Sequence, residues 1–393
     1  MKTRTKVHLF LVTLLAFGLI AIASSAQDSA RKSHGKGNAK HMKLVGAILV
    51  PGNPLRFDIS WVDQTRGRYY LGEAGNAAVD VFDAENDLYL GRIAGFHGNG
   101  APDDPCMGPQ GMGPSGVVVT PDNHLWATDA HGAVKVFDLN GAEPPFNLTP
   151  AATINTGSRC RADEIGFDPK DHVILVGNPA EKPPYGTLIS SDPPYAILSK
   201  IPFPDARGFE QPLWDPDLKG GRMLVTVPGL GGTGAVVVLN LKDPKSPMIE
   251  ATYPTQNCAS GLALGPSQRL LVGCGGGKPL LIMSALNGKA NTTVDQTHGA
   301  DEVWYNAGDN RFYAPAANGS NPILSVIDAE TGMLIDNLPA GSGVHSVAAY
   351  RENNHVFVPI APPNANATTD TCTVMFGFPA KQGCIAVYVP DER

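Results

Sequence analysis

Seven polar side chains recur along the chain at intervals of 57, 48, 47, 50, 41 and 44 residues: Asp58, Ser115, Asp163, Glu210, Ser260, Asp301 and His345. The next register, Ile59, Gly116, Glu164, Gln211, Gly261, Glu302 and Ser346, adds two more carboxylates and an amide. If one fold gathers both registers, as many as six carboxylates and one imidazole surround a single opening. Like charges at that range raise one another's pKa and cost stability unless a cation neutralises them. Oxygen ligands with one imidazole suit Ca²⁺ first, with Mn²⁺ or Zn²⁺ as further choices. A metal held by Glu210, Asp163 and Asp301 would polarise a carbonyl or activate water. His345 or Asp58 would then act as general base, since imidazoles titrate near neutrality. Glu164, Glu302 and Gln211 form a second ring of candidate ligands. The competing reading is structural: the acids pair with strand-end amides and with Arg56, Arg161 and Arg207.

The elements that must position these residues follow from the repeat they open. Each unit begins with a polar residue and an apolar alternation, as in FDISWVD (57–63), ADEIGFDP (162–169), FEQPLWDP (209–216) and ADEVWYNA (300–307). A turn and a second β-rich run follow (RYYLGEA, HLWATDA, HVILVGN, RMLVTVP), and then a third such as AVDVFDA or ILSVIDA. Seven copies with three to four short strands each, spaced by roughly 40 to 50 residues, match the blades of a β-propeller. The expected class is therefore all-β, a seven-bladed propeller over residues 43–393 in one domain. The last unit ends at CIAVYVP (384–390) without a fourth strand, while KLVGAILV (43–50) stands unassigned before the first unit. Pairing the two completes blade seven and leaves no open edge. In such a ring every innermost strand starts beside the axis, so the recurring polar residues converge on one mouth of the channel.

The segment NPILSVIDAETGMLIDNLPAGSGVHSVAAYRENNHVFVPIA (321–361) resembles the YVTN/NHL-type repeat of bacterial secreted seven-bladed propellers. The blade openings resemble those of the SMP-30/gluconolactonase group. In that group a Glu, an Asn and an Asp at the blade starts bind a catalytic metal. Glu210 in FEQPLWDP is similar to the Glu motif G-E-G-P-x-W, and Asp163, Asp301 or Asp58 stands for the Asp. No Asn occupies the register, which departs from the pattern. The resemblance implies a metal-dependent, lactonase-type hydrolase acting on a small molecule. The alternative is a non-catalytic binding or scaffold propeller that engages a protein partner through its loops.

Composition and the termini narrow the setting. Gly and Pro, 44 and 34 of 393 residues, make up about a fifth of the chain, well above the usual ~12%, so turns are many. Lys2, Arg4 and Lys6 precede an apolar run from Leu9 to Ala23 and the small residues Ser24-Ser25-Ala26, the pattern of a secretory signal over 1–26. Residues 27–42 read as a flexible leader, and the expected location is secreted or periplasmic. Beyond the signal, 27 basic residues face 37 acidic ones, a net of −10, which disfavours nucleic acid and anionic lipid as partners. No later segment is long and apolar enough to span a bilayer, and a monomer is expected.

Six cysteines in an exported chain argue for disulfides, with fifteen possible pairings. Cys258 and Cys274 flank a hairpin, Cys372 and Cys384 bracket a Gly/Pro-containing excursion, and Cys106 with Cys160 remains by subtraction. No C-x-x-C occurs, nor G-x-S-x-G, a P-loop or H-E-x-x-H, which weighs against thiol redox, serine-hydrolase, nucleotide and zincin chemistry. Gly229–Gly234 fits G-x-G-x-x-G but lies between two strands and reads as a loop. Only four tryptophans occur, without a repeated docking pattern, against a quinone-cofactor propeller. Two features stay open. Residues 96–112 form a long Gly/Pro-rich insertion that either carries His97, Asp103 or Asp104 over the channel as a lid or is a tethered loop. Asp129-Ala130-His131 reads as a turn, and 178–195 is a second long loop with two tyrosines.

Overall fold

The computed structural model describes residues 41–54, 56–101, 103–363 and 370–391. The signal segment and nearly all of the leader lie outside the described residues. Within them, seven four-stranded antiparallel sheets form a ring, the seven-bladed propeller expected from the repeat. The innermost strands begin with Phe57–Asp63 and continue around the axis as Val117–Val119, Ile165–Asp168, Pro212–Asp215, Leu262–Gly265, Trp304–Asn306 and Ala348–Tyr350. Each lies beside its neighbours, and the last packs against the first.

In three of the blades an Asp at the end of the inner strand folds the first turn. Asp168 Oδ1 accepts the Lys170 and Asp171 amides, and Asp215 Oδ1 accepts those of Asp217 and Leu218. Asp63 does the same for Thr65 and Arg66. A carboxylate at the strand end thus builds its own turn, which explains why the first run so often closes on Asp. The strands between these turns read as apolar runs because both faces of a blade are covered by adjacent blades. Seven buried clusters follow, one per interface; Phe57, Tyr69, Phe82 and Phe357, for example, fill the space between the last blade and the first.

Closure occurs through Met42–Leu49, which pairs antiparallel with Cys384–Pro390 from Met42↔Pro390 to Leu49↔Cys384, with a bulge between Leu44 and Gly46. The strand takes in Met42, one residue before the expected start of the propeller. Three disulfides form as expected: Cys106–Cys160, Cys258–Cys274 and Cys372–Cys384. They are consistent with an oxidising, extracellular setting. The excursion bracketed by the last pair holds a short helix, Thr371–Phe376, capped by Asp370, whose Oδ1 accepts the Thr373 amide. Among the described residues no helix is long and apolar enough to cross a membrane. The glycine-rich run 229–234 is a 3₁₀ turn, Leu230–Gly232, between two strands of blade four.

Candidate functional site

Backbone hydrogen bonds place four of the seven polar positions in one register. The amides of Ser115, Asp163, Glu210 and Ser260 each donate to the end of the second strand of their blade, at Thr128, Gly177, Thr226 and Gly273. Equivalent amides in four blades therefore occupy equivalent places at one face of the ring. There Arg161 reaches across the mouth. Its Nη1 donates to Asp58 Oδ2 at 2.6 Å and to Ser115 Oγ at 3.3 Å, and its Nη2 pairs with Asp163 Oδ2 at 2.6 Å. Arg56 Nη2 holds the other oxygen of Asp58 at 2.9 Å. One guanidinium thus joins carboxylates from blades one and three, as the arginine pairing weighed against a cation in the sequence would have it. Of the three arginines expected as partners, Arg56 and Arg161 make these pairs, and Arg207 lines the cleft beside them.

The charges divide the acids into two kinds. Burial opposes ionisation of Asp58, but Arg56, Arg161 and His345 outweigh it and hold its carboxyl at about 2. Burial dominates at Asp163, which rises to about 6 in spite of Arg161. Glu164, Glu210 and Glu302 are pushed well above the usual carboxylate range, first by burial and then by their acidic neighbours. These glutamates favour the protonated form, which eases the repulsion expected of the ring.

His345 completes the mouth. Its Nε2 donates to the Phe57 carbonyl at 2.8 Å, which leaves Nδ1 facing Asp301 Oδ2 at 3.8 Å and Glu302 Oε1 at 4.0 Å. Ser346 Oγ donates to the other Glu302 oxygen at 2.7 Å and meets Ser60 Oγ at 2.8 Å. Asp58, Glu302 and His345 carry ligand atoms within 4.8 Å of one another. Glu210 is half-buried and Asp301 more than half exposed at the same mouth. Gln211 turns into the axis, accepting the Leu262 and Val303 amides at 2.8 and 3.2 Å and donating to the Val303 carbonyl at 3.2 Å. It ties blades four, five and six together. Beside Arg161 a cleft of ≈ 680 Å³ opens, lined by Gln110, Asp163, Lys182, Arg207 and Glu210 among others.

The opposite end of the channel is of different chemistry and was not read from the sequence. A funnel of ≈ 490 Å³ is lined by Trp61, Phe167, Trp214, Trp304 and Tyr305, with Val118 and Leu264 between them. Trp61 and Trp304 meet edge to face, with ring centroids 5.4 Å apart. Three of the four tryptophans thus stand around one opening. The signal was present: Trp61, Phe167, Trp214 and Trp304 each follow a recurring polar residue by three or four positions, within the inner strand. Gln211 also lines the inner end of the funnel.

No family model matches this chain, and no curated protein matches it in sequence. In structure it is similar to a chain of the crystal structure of the mitotic checkpoint complex, at TM-score 0.62 and 14% identity over 97% of this chain and 100% of that one. It is also similar to U3-55K, at TM-score 0.61 and 9% identity over 88% of this chain and 98% of that one. The Neurospora crassa Pan2 WD40 domain aligns at TM-score 0.60 and 11% identity, over 91% of this chain and 98% of that domain. These likenesses establish the seven-bladed fold. The resemblance to YVTN/NHL or gluconolactonase propellers is one of blade motifs, and no family model supports it.

Proposed function

We propose that this chain is an exported, non-catalytic binding propeller that captures a protein partner by an apolar or aromatic side chain seated in the tryptophan-lined funnel. The observation that carries this reading is the funnel itself. It is a preformed, largely apolar concavity at the axis whose aromatic walls offer large contact area at low entropic cost. Propellers that occur in protein assemblies, such as the similar chain of the mitotic checkpoint complex, lend support. At the other mouth, Asp58 and Asp163 are already committed to guanidinium groups, so the ring is stable with its own cation.

Because three tryptophans line the funnel, their emission reports on its occupancy. Titration with N-acetyl-phenylalaninamide and with short phenylalanine-containing peptides is expected to shift the emission saturably. Phe167→Asp, which places a charge in the wall, is expected to abolish the shift while the thermal melt is retained. A wild-type emission that never saturates, or an unchanged titration in Phe167→Asp, refutes the reading.

A second reading has one specific observation in its favour. With Nε2 held by the Phe57 carbonyl, His345 presents Nδ1 toward Glu302 and Asp301, close to Asp58. Asp58, Glu302 and His345 would hold a divalent cation there, with Glu210, Asp163 and Asp301 as outer carboxylates, and the ion would supply Lewis acidity toward a lactone or ester carbonyl. Turnover in a lactone and ester panel that is abolished by Glu302→Gln and Asp301→Asn would favour this reading over the first.

A further inference from the structure

The insertion at 96–112 does not end as a free loop. Gly98 and Gly113 exchange both backbone hydrogen bonds at its base, and Cys106–Cys160 ties its far part to the entry of blade three. On the same face it meets the turn after the second strand of blade two. Buried Asp129 organises that meeting: its carboxylate accepts the amides of His97 and Ala130 and pairs with Lys135 Nζ at 2.7 Å. The result brings together three side chains that the sequence scatters, His97, Asp104 and His131.

Asp104 is held in place from both sides. Its Oδ1 accepts the Cys106 amide at 2.7 Å, and its side chain is only 6% exposed. Gly111 permits the fit, since a Cβ there would lie 3.0 Å from Asp104 Cγ and 2.1 Å from the Cys106 carbonyl oxygen. The remaining oxygen, Oδ2, faces His131 Nε2 at 3.2 Å and His97 Nε2 at 3.7 Å. The two imidazoles stand edge to face, with centroids 4.7 Å apart.

The tautomer of His131 is fixed by its other nitrogen. Nδ1 lies 3.2 Å from the Arg159 carbonyl, which can only accept, so Nδ1 carries the proton. In the neutral ring Nε2 then bears a lone pair pointing at a carboxylate oxygen, and two acceptors at that distance require a positive charge between them. A single added proton would bridge only one of the two imidazoles to Oδ2, and two would set like charges in edge contact. A single metal ion satisfies both rings and the carboxylate at once.

We propose that His97 Nε2, His131 Nε2 and Asp104 Oδ2 form a site for a divalent transition metal of the Zn²⁺ class. Bonds of about 2.0–2.1 Å in tetrahedral geometry place ligand atoms roughly 3.3 Å apart, near the 3.2 and 3.7 Å that already separate Asp104 Oδ2 from the two imidazole nitrogens, all three atoms lying within 4.8 Å of one another. Two nitrogens and one carboxylate oxygen suit Zn²⁺ better than Ca²⁺, which prefers oxygen throughout. The Arg159 carbonyl is the outer partner that orients a metal-bound histidine. His97 and His131 are 34% and 43% exposed, so the fourth position opens to water. Such an ion clips the insertion to blade two as the disulfide clips it to blade three. The same loop presents Gln110, whose carbonyl accepts the Arg161 amide at 2.9 Å and which lines the cleft beside that arginine.

The test is a zinc titration of the purified, disulfide-intact chain against a chromophoric chelator, with Co²⁺ as a spectroscopic substitute. The expected result is about one equivalent bound, with the visible Co²⁺ bands of a nitrogen–oxygen site. Asp104→Asn, His131→Gln and His97→Gln should each weaken binding by at least about 10-fold. His97 and His131 are exposed enough that these variants fold, which a melt verifies. Zinc uptake that is absent in the wild type, or kept in all three variants, overturns the proposal. Uptake lost in Glu302→Gln but kept in His131→Gln also overturns it, by placing the ion at the axis.

Discussion

Replacing Arg161 by Met keeps the bulk of the side chain and removes the charge that joins Asp58 to Asp163. Both carboxylates are nearly inaccessible, at 5% and 3% exposure, and both lie 2.6 Å from the guanidinium. Removing one partner of such a buried arrangement costs about 3–5 kcal/mol at neutral pH, because a charge is left without compensation. The stranded acids have one escape, which is to bind protons. Asp58, held at about 2 by two arginines, would lose the nearer of them, and Asp163, already at about 6, would rise further. Each carboxyl whose folded pKa lies above the working pH recovers about 1.4 kcal/mol per pH unit on acidification. The penalty should therefore fall to less than about half between pH 7 and pH 5. Urea unfolding at the two pH values measures it, with Arg207→Met, an exposed neighbour, expected within about 0.5 kcal/mol of wild type. A cost below about 1 kcal/mol, or one that does not change with pH, would refute the reasoning that Arg161 is the resident cation of the ring.

Two further outcomes follow from the same structure. Asp80, Asp163 and Asp168 have folded pKa values raised to about 7, 6 and 6 from 3.8, so their ionisation destabilises the fold above those values and the penalty is relieved as pH falls toward 4. Asp58, lowered to about 2, contributes the opposite and loses its contribution only below pH 4. From these four groups unfolding free energy should rise as pH falls from 7 to about 4 and turn down only below that; a maximum at pH 8 would contradict the burial of these acids. Deleting residues 42–49 removes the outer strand of blade seven and bares the Cys384–Pro390 edge. The variant should melt lower and associate, as size-exclusion chromatography and calorimetry would register, whereas a monomer of unchanged stability would mean that the seam contributes nothing.

The fold was legible because the blades restate one pattern, an apolar run, a turn rich in Gly, Asp, Asn or Pro, and another run, with an Asp folding the first turn in blades one, three and four. Seven repetitions average out local ambiguity, and even the seam could be read from one missing strand and one surplus strand. The site was legible in register but not in partnership. Arg161 was visible as a neighbour of Asp163, yet its bond to Asp58 spans 103 positions and depends on ring geometry. Gln211 sits in the second ring by sequence but spends its amide on Leu262 and Val303, because a side chain at the axis binds whichever backbone is unpaired there. Asp103 and Asp104 were equivalent on paper; the Cys106 amide selects Asp104. His97 and His131 belong to separate features of the sequence, and only the insertion's fold over blade two makes them neighbours. The funnel is hidden in the sequence because Trp61, Phe167, Trp214 and Trp304 come from four separate blades and meet only at the axis.

The pairing of Met42–Leu49 with Cys384–Pro390 makes the ring a clasp held by backbone hydrogen bonds rather than by a continuous chain. It joins the most distant segments of the propeller, so it carries the largest loop-closure cost and is expected to form after the other blades have local order. Until then the molecule is an open crescent with two complementary edges. At high concentration the first strand of one copy can close the last blade of another, and the outcome of refolding becomes a competition between self-closure and exchange. The covalent loop from Cys372 to Cys384 anchors the receiving strand at the end of that ladder where Cys384 meets Leu49.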